Sequence, residues 1–173
     1  RVPVLETLNE RLGGRLVVGA GAPPSGSSME SLAAEPPFEF EFVELPNTWI
    51  GGETIHWQRY APLFDRHADP GVLLAEESPR TLSLPWLLRR ARRAGAARVL
   101  WGHFSSNDRR FSPYHPLDRY RLEMARRVEA CVCYTEAIRE ILRTAVPEER
   151  LFVARNTVDT AALNAERDEL ERR

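Results

Sequence analysis

From Cys131 to Asp159 the chain reads CVCYTEAIREILRTAVPEERLFVARNTVD. Two short apolar runs, ACVCY and LFVA, flank an amphipathic segment, and this strand, helix, strand order is the repeating unit of a parallel α/β sheet. Chemistry in such a sheet is placed where strands end, so the fold decides where functional residues are sought.

The same alternation extends upstream. VLLAEE (72–77) reads as a short buried strand, LSLPWLLRRARRAG (82–95) as a helix closed by Gly95, ARVLWGHF (97–104) as a strand, and LDRYRLEMARRVEA (117–130) as a helix. Nearer the N-terminus, VPVLETLNERLGG (2–14) places Val4, Leu5, Leu8 and Leu12 at helical spacing before Gly13 and Gly14. RLVVGAGA (15–22) is a buried-strand run, and FEFEFVEL (38–45) alternates Phe with Glu as an edge strand with one wet face would. NTWIGGETIHW supplies a turn at Gly51 and Gly52, and HWQRYAPLFDRH (56–67) is read as a helix interrupted at Pro62. The expected fold is therefore α/β, a Rossmann-like open and mostly parallel sheet with helices on both faces. No linker divides the chain, and its charged tail TAALNAERDELERR (160–173) reads as a helix or extension with little apolar face.

Composition narrows the function classes. A chain of 173 residues with 43% hydrophobic content can bury a real core. Its 24 basic residues are all Arg, and against 25 acidic residues they leave a net charge of −1, which argues against a nucleic-acid partner. No run approaches the roughly 18 apolar residues of a membrane span, and no signal-peptide pattern opens the chain, so a cytoplasmic protein is expected. Cys131 and Cys133 lie two apart in a predicted strand, a poor geometry for bridging each other, and read as small core residues. The four His are scattered without ligand spacing, so neither a metal nor another cofactor is expected.

Two glycine patterns lead away from nucleotide chemistry. GAGAPPSG (19–26) mimics the start of a dinucleotide fingerprint, but Pro23 and Pro24 follow where a helix should start, so Gly19 and Gly21 read as a flexible turn. A P-loop needs a Lys, and the chain has none.

Residues just after each predicted strand are the site candidates. These are Glu76, Glu77, Ser78 and Arg80 after VLLA; Gly102, His103 and Phe104 after RVLW; Thr135 and Glu136 after CVCY; and Arg155, Asn156 and Asp159 after LFVA. His103 is the sharpest, because Gly102 permits close backbone approach and an imidazole there can donate to a substrate oxygen or share a proton near neutral pH. Thr135 reads most simply as a helix N-cap. The Arg89, Arg90, Arg92, Arg93 run reads first as a solvated helix face, and as a surface that would suit an anionic membrane or a phosphate-bearing partner.

The segment YTEAIREILRTAVPEERLFVARNTVDTAAL (134–163) resembles the end of the N-terminal domain of family 4 retaining glycosyltransferases of the GT-B fold. There a strand ending in Ser or Thr, a helix, a G-V-P turn and a strand running into N-x-V-D approach the hinge to a second domain. Val146, Pro147, Asn156, Val158 and Asp159 match, and Ala145 stands for the Gly. RVLWGHF also resembles the family strand that ends in a cleft-facing His. The resemblance implies transfer of a sugar from a nucleotide-sugar donor to a glycan, lipid-linked or small-molecule acceptor, with retention of configuration. It further implies that residues 1–160 are the acceptor-side domain and 161–173 a hinge or linker, the chain lacking the family's first, central strand and its nucleotide-holding C-terminal domain. On this basis His103 is the expected catalytic residue, near the transferred sugar, and Arg1, Glu77, Arg80, Gly102, Thr135 and Asn156 are expected to bind substrate. Peripheral contact with the inner membrane face through the Arg run is a further expectation. A non-catalytic α/β ligand- or partner-binding domain, and another GT-B enzyme such as a nucleotide-sugar epimerase, are the alternatives.

Overall fold

A computed structural model describes residues 2–24, 26–27, 37–52, 54–106 and 109–154. Helix α1 (Val2–Arg11) precedes β1 (Val17–Ala20) and β2 (Glu41–Glu44), which pair in parallel. An antiparallel hairpin follows, β3 (Asn47–Ile50) and β4 (Ile55–Gln58), then α2 (Ala61–Arg66). The remaining chain alternates strictly: β5 (Val72–Glu76), α3 (Leu84–Arg93), β6 (Ala97–Gly102), α4 (Pro116–Arg126), β7 (Ala130–Cys133), α5 (Glu136–Leu142) and β8 (Leu151–Val153). Strands β5-β6-β7-β8 lie side by side in that order, all parallel, so the fold is α/β with a mostly parallel, Rossmann-like open sheet.

One departure from the sequence reading falls at residues 55–58. They pair with β3, joining Trp49 to His56 and Thr48 to Trp57, instead of starting a helix. Gly51 and Gly52 both take positive φ, 66° and 71°, the backbone that a tight hairpin turn demands, and the helix begins only at Ala61 with Pro62 in its first turn. Gly19 and Gly21 have a different task from the flexible turn expected of them. Neither has positive φ, but a Cβ on Gly21 would collide with the Asn47 side chain, and one on Gly19 would lie 2.9 Å from Leu45 Cδ1. Both let β1 approach the chain that follows β2.

Register shows how the main sheet is covered. Ala75, Leu100, Cys131 and Leu151 form one cross-strand row, and all four are buried with Leu84, Leu87, Leu88 and Ala91 of α3, Leu122 and Ala125 of α4, and Ile138 and Leu142 of α5. Three successive crossovers step the same way along the sheet, and right-handed crossovers then put α3, α4 and α5 together on this face. The neighbouring rows point the other way: Leu74 with Val99, then Glu76, Trp101, Val132 and Phe152. There Val72 is 63% exposed, Leu74 44% and Phe152 54%. Val43 and Leu45 from the β2 region share the core with Leu73 and Ala75. Yet β1 pairs only with β2 and β5 only with β6 among the described residues, so each keeps one strand edge without a partner strand.

No helix of the described residues is long and apolar enough to cross a membrane, and none of their His, Cys, Asp and Glu side chains group in threes that could hold a metal.

Candidate functional site

The carboxyl ends of β5, β6 and β7 bring together residues far apart in sequence. At the end of β6, Gly102 is buried against Glu77: a Cβ on Gly102 would lie 3.0 Å from Glu77 Cβ and 3.3 Å from its carbonyl oxygen. The chain then turns sharply. His103 is exposed, and its ring meets Tyr134 edge to face at 4.5 Å and 85°. Tyr134 follows β7, is 5% exposed, and also meets Trp101 edge to face at 5.7 Å. Among the described residues the buried Trp101 indole Nε1 has no hydrogen-bond partner, and a buried donor costs free energy unless something accepts from it.

Beneath His103 lies a line of charges. The Phe104 N–H donates to Glu77 Oε2 at 3.1 Å, and Arg121 approaches Glu77 Oε1 at 3.3 Å. Arg121 also pairs with Asp118 at 3.1 Å, and Asp118 accepts from Arg109 at 2.6 and 2.8 Å and from the Ser112 N–H at 2.9 Å. Glu77, Asp118 and Arg121 are all buried. Burial pushes the Glu77 carboxyl above its usual value, against the pull of Arg121 and the Phe104 N–H. Burial also acts upward on Asp118, but its hydrogen bonds from Arg109 and Ser112, with Arg121 beside it, outweigh that and hold it at about 2.

The predicted site residues divide accordingly. His103, Gly102 and Glu77 converge, with Glu77 facing inward. Thr135 is the N-cap of α5, its hydroxyl accepting from the Ile138 N–H at 3.3 Å. Arg80 is exposed in a loop pinned to β4: its carbonyl accepts from the His56 N–H, and Leu82 N–H donates to His56. Arg1 and Asn156 lie outside the described residues, as do the matching Val158 and Asp159 and the segment 161–173.

Tyr134, Asp118 and Arg121 were not foreseen. A signal for the last two exists: 118, 121, 122, 125 and 128 fall on one helical face, so α4 carries two charges on the stripe that also bears Leu122 and Ala125. A charge on a buried stripe marks a network.

The Arg run lies elsewhere. Trp86, Arg89, Arg90 and Arg93 share the outward face of α3 and, with Phe64 and Ala68, line a cleft of about 250 Å³. Arg90 stacks over Phe64 at 4.9 Å. Basic residues in the last turn of a helix complement its dipole, which accounts for part of this pattern.

Comparison with known proteins brings no match: no family model, no curated protein and no solved structure matches this chain.

Proposed function

We propose that this chain is the acceptor-side domain of a retaining GT-B glycosyltransferase resembling family 4, acting on a nucleotide-sugar donor. The observation that carries the reading is the placement of His103. An exposed imidazole follows a central parallel strand directly, on a buried and charge-braced turn, at the sheet end where α/β folds bind ligands. In this role His103 contacts the transferred sugar and steadies the charge that develops at the reacting centre, while the donor's nucleotide is held by a second domain. Among the described residues β1 and β5 each keep one edge without a partner strand, and a further strand at those edges, of the kind the resemblance puts near the middle of the sheet, would support the reading. The test is to incubate the gene product carrying this domain with a panel of nucleotide sugars and follow nucleotide release and product anomer by NMR. Turnover with retention supports the reading; an inverted anomer, or no turnover with any donor, overturns it.

A non-catalytic partner-binding domain has one observation in its favour, the exposed Val72, Leu74 and Phe152 on the second face of the main sheet. A gene product that never turns over a nucleotide sugar but associates through this face would support it. Peripheral contact with an anionic membrane is part of the first reading, and Trp86 with Arg89, Arg90 and Arg93 is the surface proposed for it.

A further inference from the structure

Phe104 is the one described non-glycine residue with a left-handed backbone, φ 49°. This conformation costs an L-residue roughly 1–2 kcal/mol, and a glycine would remove the cost. Position 104 needs its ring, however, which is fully buried in the core. Something must hold the backbone in place, and the contact on its amide is Glu77 Oε2. That carboxylate belongs to a four-charge chain, Glu77, Arg121, Asp118 and Arg109, which runs from the end of β5 through α4 to the segment following the His103 turn. Burying such a chain stabilises a fold less than apolar packing of the same volume would. What it does secure is geometry: Glu77 Oε2 accepts from the Phe104 N–H, Arg121 donates to Asp118 while lying 3.3 Å from Glu77 Oε1, and Asp118 also accepts from Arg109 and the Ser112 N–H.

We propose that Glu77 is a positioning residue for His103. By holding the Phe104 N–H it fixes the left-handed turn that sets the imidazole against Tyr134, and through Arg121 and Asp118 it ties that turn to Arg109 and Ser112. Glu77 acts through the backbone and touches no substrate. The inference concerns the placement of an imidazole and stands whether or not the domain transfers sugar, so its test uses no activity.

The experiment is NMR of the full chain, reading the His103 ring protons and the Phe104 amide. In the wild type the His103 ring protons are displaced by the Tyr134 ring, a displacement identified by its loss in Tyr134→Leu. Glu77→Gln, which keeps an acceptor oxygen, is expected to leave both signals near their wild-type positions. Glu77→Ala is expected to abolish the Tyr134-dependent displacement and to speed Phe104 amide exchange at least tenfold, with the Cys131 amide still protected. Should Glu77→Ala not fold, Glu77→Asp withdraws the carboxylate by one methylene while keeping its charge, and is expected to move both signals as the alanine variant would. The proposal is overturned if the folded variant lacking the contact leaves His103 at its wild-type position, or if Glu77→Gln shifts it as far as Glu77→Ala does.

Discussion

Gly102 shows how one missing side chain allows the site to form. It lies in β6 with ordinary backbone geometry, so its role is space: a Cβ there would press on Glu77 at 3.0 Å. Gly102→Ala should therefore destabilise the fold by roughly 1–3 kcal/mol, the usual range for overpacking, and lower the thermal midpoint by several degrees. A midpoint within a degree of wild type would show that Glu77 yields freely. Cys131 and Cys133 make a second prediction at this scale. Burial pushes their thiols up to about 12 and about 11, so almost no thiolate exists at pH 8. Neither should react with iodoacetamide in the native chain, and both should react in urea; native labelling of either would contradict their core placement.

At the scale of elements, α4 carries the clearest pH dependence. Asp118 is held at about 2 against an ordinary value of 3.8, so the folded state favours its ionised form. That contribution, about 2 kcal/mol, is fully present above pH 4 and is lost as pH falls toward 2. Wild type and Asp118→Asn should accordingly differ in urea midpoint at pH 5 and converge near pH 2; a gap that persists at low pH would locate the effect outside the carboxylate. Helix α3 makes the membrane prediction. Wild type should pellet with phosphatidylglycerol vesicles, and Arg89→Ala/Arg93→Ala should bind about 30-fold more weakly, at about 1 kcal/mol per cation. Indifference to the anionic lipid would remove that surface from the account. Elements with a single dominant period were legible in the sequence, as in the buried 84, 87, 88, 91 stripe of α3 and the apolar run of β6. β4 was not, because IHWQ is too short to show a period and its partner β3, together with the Gly51–Gly52 turn, decides its conformation.

For the whole molecule, position in the sheet was legible and partnership was not. Strand ends marked Gly102, His103 and Glu77 because a parallel sheet exposes its carboxyl edge. Which of them face solvent depends on α4, whose Asp118 and Arg121 approach only after two crossovers close. The most direct measurement of the central claim is steady-state sugar transfer by the gene product carrying this domain, wild type against His103→Ala. Loss of a polar contact made at the reacting centre predicts a fall in kcat of about 100-fold with the donor KM little changed. A kcat within threefold of wild type would contradict the placement of His103 at the transferred sugar, and with it the reading of this sheet edge as the catalytic one.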